Sequence, residues 1–151
     1  MQLHVFFLMA DPDQNTVDAW IQLLRARDSA LAVVENALKD AGLPSLSWYD
    51  VLLEVERAGP GGIRASDLQK ELLLPQYGIS RLLSRIEAEG FITRRSSAED
   101  GRAQEIVMTQ EGRNLRRRMW AVYGPAIDSA LGSKLSGAEC DKLKSLLGKL
   151  L

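Results

Sequence analysis

Between Pro75 and Gly112 the chain changes its hydrophobic period abruptly, and few folds accommodate that change. Ile79, Leu82, Leu83 and Ile86 recur at three- and four-residue steps, which lays them along one face of an α-helix. Pro75 suits that helix's first turn and Gly90 its C-terminal stop. The opposite face carries Gln76, Tyr77, Ser80, Arg81 and Ser84. The period then becomes two: FITRR and AQEIVMT read as short strands, and SSAEDGR between them is turn chemistry. Thr109 stands where an N-cap begins the next helix.

Helices flank this unit on both sides. Val17, Trp20, Ile21, Leu24, Leu31, Val34 and Leu38 predict a long amphipathic helix from Thr16 to Ala41, closed by Gly42 and Pro44. A second helix starts in LSWYDV, with Ser47 and Asp50 expected as a capping pair and Leu46 and Val51 as a hydrophobic staple. It ends in GPGG, and a short helix from Ala65 to Leu73 follows. Beyond Thr109, Leu115, Met119, Val122 and Tyr123 form one stripe, which Pro125 is expected to kink or divide. Ser136 and Glu139 make a capping box, Leu135 and Cys140 its staple, and Leu143, Leu146, Leu147 and Leu150 the last stripe.

A chain of 151 residues supports one domain with a real core, or a compact domain with an oligomerisation element. The formal net charge of −1 hides a local excess: Arg81 to Arg118 holds nine arginines, no lysine and six carboxylates. A basic segment on a mildly acidic chain fits a face for a polyanion. The single Cys140 forms no intramolecular disulfide and no thiolate metal cluster, and the single His4 leaves no Ser–His or Cys–His pairing for nucleophilic catalysis. With no Gly-rich phosphate loop and no HExxH, an enzyme is not expected, nor a metal or cofactor. The head MQLHVFFLMA is too short to span a bilayer and lacks a basic leader, so a cytoplasmic protein without membrane attachment is expected. Residues 1–8 read equally as a mis-assigned start before Met9 or as an arm that packs on a partner subunit.

Helix, helix, helix and hairpin in that order make a winged helix-turn-helix, whose second motif helix lies in the DNA major groove. The expected class is therefore mainly α with a small β-hairpin wing. The expected division is an N-terminal arm (1–15), a dimerisation helix (16–45), the winged unit (46–109) and C-terminal dimerisation helices (110–151).

Four motifs in order carry a family resemblance. They are Ile79-Ser80-Arg81-Leu82, Ile86-Glu87 to Gly90-Phe91, Asp100-Gly101-Arg102 and Met108-Thr109 to Gly112. Together with LSWYDVLLEV upstream, they make the chain resemble the MarR family, the multiple antibiotic resistance regulators, from about Val17 to Leu150. The wing departs from the family's frequent Asp-Arg-Arg by carrying Asp-Gly-Arg, and Pro75-Gln76-Tyr77-Gly78 is less hydroxyl-rich than many family recognition helices. The resemblance implies a homodimeric transcriptional repressor on an inverted-repeat operator in double-stranded DNA, relieved by a small-molecule ligand.

The wing would lie along the minor groove, with Arg102 entering it and Asp100 accepting hydrogen bonds that hold the guanidinium extended. Base or phosphate contacts are expected from Gln76, Tyr77, Ser80, Arg81 and Ser84, and phosphate contact from one of Arg94 and Arg95, which point to opposite strand faces. Arg85 has Glu89 four residues on as a surface partner, and Arg116 to Arg118 spread around their helix in solvent. Relatives bind small aromatic anions, and Trp20, Arg27, Trp48 and Tyr49 are the candidates here, although aromatics on apolar stripes more often pack the core. Peroxide-sensing relatives place a cysteine near the N-terminal helix; Cys140 lies in the last helix, so packing is expected of it. A second reading stays open, in which the same helix and wing bind protein instead of DNA.

Overall fold

The computed structural model describes residues 11–75, 77–97, 99 and 101–151. Its first helix, α1 (Gln14–Asp40), opens on Asp13, whose carboxylate accepts from the Thr16 N–H. That hydrogen bond holds the Asp13 carboxyl below the usual carboxylate range. Only the last part of α1 enters the core, through Val34 and Leu38. α2 (Leu46–Ala58) is the most buried element, with Leu46, Trp48, Tyr49, Val51, Leu52 and Val55 all inside.

The expected Ser47–Asp50 capping pair is not formed. Ser45 is the N-cap, and its hydroxyl lies 2.8 Å from that of Ser47. The Leu46 N–H is satisfied instead by the Glu35 carboxylate of α1, 3.1 Å away. Asp50 turns inward to a different task, described below.

A tight turn at Gly59–Gly61 leads to a two-residue strand, β1 (Ile63–Arg64), and then to α3 (Ala65–Glu71). β1 is too short to leave an alternating signature, and only its pairing partner reveals it. α4 (Ile79–Ala88) starts four residues later than Pro75 suggests, because Gly78 is its N-cap in a left-handed conformation (φ 75°). Pro75 and Tyr77 therefore belong to the turn between α3 and α4. Ile79, Leu82, Leu83 and Ile86 are buried as their spacing requires.

β2 (Ile92–Ser96) and β3 (Gln104–Met108) form the expected hairpin, and β1 adds to the far edge of β3, giving an antiparallel sheet in the order β1-β3-β2. Ile92 opposite Met108 and Arg94 opposite Ile106 share the face turned to the helices. Arg95 opposite Glu105 lies on the other face. α5 (Gln110–Ile127) begins at Thr109, whose hydroxyl accepts from the Gly112 N–H at 3.0 Å and donates to the Gly90 carbonyl at 2.7 Å. Pro125 neither ends nor divides α5. The helix runs two residues past it and then widens into a π-helical segment, Asp128–Gly132, before α6 (Gly137–Gly148).

The Ser136–Glu139 capping box is formed in both directions, at 3.0 and 3.2 Å, and holds the Glu139 carboxyl below its usual range. Yet α6 buries none of its residues, and Cys140 is only half-buried, so the expected core packing of Cys140 does not occur within one chain. Leu146 of α6 is 52% accessible, and the first turns of α1 and the end of α5 share this exposure: Trp20 is 60% accessible, and Ile21, Leu24 and Ile127 are also exposed, as are Leu131 and Leu150 outside these helices. Amphipathic helices with bare apolar stripes lie on both sides of a well-packed winged unit.

Candidate nucleic-acid interface

One side of the winged unit brings α4 and the wing together. Ser80, Arg81 and Ser84 stand exposed on the outward face of α4, and Tyr77 projects fully into solvent from the turn before it. Gln76 and Asp100 lie outside the described residues, so the Asp100–Arg102 contact does too. Arg102 is exposed in the wing's tip.

Arg94 and Arg95 are both engaged within the chain. Arg94 shares the inner face of β2 with Ile92, so its side chain crosses to α4, where it donates to the Ser84 hydroxyl at 3.3 Å and pairs with Glu87 at 3.5 Å. Arg95, on the outer face, pairs with Glu105 at 3.4 Å and donates to the Pro60 carbonyl, which ties the wing to the turn after α2. Arg94 thus ties the wing to α4, and Arg95 ties it to the turn after α2. The arginines free of ion pairs among the described residues are others, among them Arg81, Arg85 and Arg118.

The turn before α4 is held from beneath by a residue whose sequence position suggested only a helix cap. Asp50, 6% accessible on α2, accepts from the Leu73 N–H at 3.1 Å and from the Leu74 N–H at 2.8 Å. A carboxylate with both oxygens on adjacent backbone donors clamps the α3–α4 turn to α2. Nothing local marks this role; an acidic residue at an otherwise apolar helix position is its only trace.

The effector candidates are not brought together within one chain. Trp48 and Tyr49, about 100° apart around α2, line separate clefts. Trp20 is exposed on α1, and Arg27 pairs with its neighbour Asp28 at 3.1 Å. The Tyr49 cleft, about 610 Å³, lies between α2, the end of α3 and α5, where Tyr49, Trp120 and Tyr123 pack as an aromatic trio with centroids 5.0–6.1 Å apart. Burial raises the Tyr123 phenol above its ordinary range, and Tyr49 and Asp50 act in the same direction. Arg85 does not pair with Glu89; its guanidinium stands 6.0 Å over the Trp48 ring. Arg116 is not solvated but pairs with Glu56 of α2.

Among the described residues no group of His, Cys, Asp or Glu is arranged to hold a metal, and no helix is long and apolar enough to cross a membrane. A three-stranded wing behind a helix whose outer face is polar and basic defines a winged helix-turn-helix protein. Comparison with known proteins gives the same fold. The structure superposes on the MarR family regulator Sco3205 of Streptomyces coelicolor, solved in complex with DNA, with a TM-score of 0.82 at 20% identity, over 93% of this chain and 88% of that one. It superposes on BpsR of Bordetella bronchiseptica, described for the regulation of its DNA binding by 6-hydroxynicotinic acid, with a TM-score of 0.79 at 21% identity, over 93% and 97%.

The chain matches the model of the MarR family over residues 41–103. Its sequence is 31% identical over 106 residues to the organic hydroperoxide resistance transcriptional regulator of Bacillus subtilis, 70% of this chain and 63% of that protein. The chain thus spans less than two thirds of that curated relative's length, and 64% of that of similar helix-turn-helix regulators from Bacillus cereus.

Proposed function

We propose that the protein is a dimeric transcription regulator, a cytoplasmic repressor that binds an inverted-repeat operator in double-stranded DNA and is released by a small aromatic or anionic effector. The observation that carries this reading is the outward face of α4: Ser80, Arg81 and Ser84 are exposed and polar, beside a wing that Arg94 ties to α4. Such a face suits base edges and phosphates in the major groove, and it lacks the apolar anchors a protein-binding helix needs. DNA binding by Sco3205 and its regulation by an aromatic acid in BpsR support the same reading.

The test is fluorescence anisotropy on DNA from the protein's own upstream region, across a salt series. Wild type should bind with a steep salt dependence, because each neutralised phosphate releases counterions. Arg102→Ala should weaken binding and lower the salt slope by about 1 if the side chain meets a phosphate or the minor groove. Binding that ignores this substitution would retire the wing-tip role and keep the regulator. Absence of binding to any DNA at low salt would move the reading to a protein-interaction module.

The bare stripes on α1 and α6 support a dimer formed by the flanking helices. Two recognition helices on one duplex raise affinity through effective concentration, with half-sites roughly 34–36 Å apart for a helix-turn-helix dimer. Leu146→Glu puts a charge on the α6 stripe without touching the core, since α6 buries nothing within one chain. Sedimentation should show monomers with an unchanged helical spectrum, and operator affinity should fall at least tenfold. A variant that stays dimeric would move the interface elsewhere.

A further inference from the structure

Of the aromatic side chains among the described residues, Tyr77 alone is completely accessible; Trp20 and Trp120 are covered in part. Tyr77 stands in the turn before α4, at the N-terminal end of the row that Ser80, Arg81 and Ser84 continue. That turn is held on both sides. Asp50 fixes the Leu73 and Leu74 N–H groups, and Gly78 leads into α4 with a left-handed φ of 75°. Pro75 between them restricts its own φ. Leu73, the other strongly exposed side chain of the turn, opens on the Tyr49 cleft, whereas Tyr77 borders the Trp48 cleft. A tyrosine has only two side-chain angles to fix, so its ring, presented from a rigid frame, loses little entropy on contact.

In helix-turn-helix complexes the N-terminal residues of the recognition helix are those that reach base edges. Every base pair offers hydrogen-bonding groups in the major groove, but only thymine offers an apolar one, its C5-methyl. Ser80, Arg81 and Ser84 suit the polar groups, and Tyr77 is the one ring on that row. Ring and methyl both lose water when they meet, which is favourable without any directional bond. The phenol hydroxyl is not required for such a contact.

We propose that Tyr77 is a specificity-determining residue that reads one thymine in each operator half-site through its C5-methyl group. The assignment rests on the regulator reading and adds to it the identity of a base.

The test is a thymine-to-uracil scan. Footprinting on the upstream DNA defines the operator, and each thymine is then replaced in turn by deoxyuridine. That change removes the methyl group and keeps both the base pairing and the O4 acceptor. In the anisotropy assay, one position per half-site should raise the Kd of the wild type about fourfold, the worth of one buried methyl group. Tyr77→Ala should bind the natural operator at least that much more weakly and no longer distinguish thymine from uracil there. Its melting temperature should equal that of the wild type, since the ring is bare. Tyr77→Phe should keep both the affinity and the uracil penalty, and so should Leu73→Ala.

A wild type indifferent to uracil at every position would overturn the proposal. So would a uracil penalty that persists in Tyr77→Ala, which belongs to another residue or to the shape of the duplex. Tyr77→Phe as weak as Tyr77→Ala would give the contact to the hydroxyl and overturn the methyl reading. Failure of the regulator reading has a separate signature: a wild type that binds no DNA removes both, whereas DNA binding without thymine dependence removes this contact alone.

Discussion

Gly112→Ala is expected to destabilise the protein by about 3 kcal/mol, the upper part of the range for overpacking a close contact. A methyl group there would sit 2.1 Å from the Phe91 carbonyl oxygen and 2.6 Å from the Met108 sulfur. The first is backbone and cannot rotate away. Thr109 fixes the approach from the other side, because its hydroxyl bonds both the Gly112 N–H and the Gly90 carbonyl. The first turn of α5 is therefore pressed against the segment that leaves α4, and the glycine of Thr-x-x-Gly is what permits the contact.

Helix propensity predicts the opposite sign, since alanine favours a helix interior over glycine by about 1 kcal/mol. Thermal melting decides between them. A fall in Tm of roughly 6–12 °C is expected for a chain of this size. A rise in Tm would show that α5 slides away from Phe91 at little cost and that the junction is loose.

Asp50→Ala should cost about 3 kcal/mol as well, by a different route. Two charge-assisted bonds are lost, and the Leu74 N–H, in a half-buried turn, loses its acceptor. The larger effect is expected on function. With the α3–α4 turn released from α2, α4 no longer has a fixed position beside the wing, and DNA affinity should fall by tenfold or more even at temperatures where the variant is fully folded.

Asp50→Asn separates the two effects. Its amide keeps one acceptor but turns an N–H₂ donor toward the second backbone N–H, so about half of the stability loss should remain. Chemical denaturation and anisotropy on the same samples give both readings. Asp50→Ala with wild-type DNA affinity would mean that the turn is positioned by the core alone.

The elements that sequence periodicity named are those whose burial is decided locally. Ile79, Leu82, Leu83 and Ile86 lie on one helical face whatever covers them, and the switch to alternation after Gly90 identifies a hairpin without knowledge of its partner. Thr109 and Ser136 were legible as caps because an N-cap binds donors two or three residues away. For the same reason the family motifs, which are local strings, pointed to the winged fold and to its outward-facing Ser80, Arg81 and Ser84.

The failures share a cause. Asp50 looked like a partner for Ser47 because local spacing allowed it, but its bonds go to Leu73 and Leu74, across a packed interface. Arg94 and Arg95 were correctly placed on opposite strand faces, yet only the register against Ile106 and Glu105 brings one to Ser84 and Glu87 and the other to Pro60. Trp48 and Tyr49 are neighbours in the chain and line different clefts, because successive helical residues point about 100° apart and α2 is enclosed on both sides. The sequence by itself determined the order of the long helices and the hairpin, the inward stripe of α4 and the caps at Thr109 and Ser136. Which charges meet, which arginines keep an open guanidinium and which aromatics floor a cleft were decided by tertiary packing, since each depends on residues far apart in the chain and close only once the core has formed.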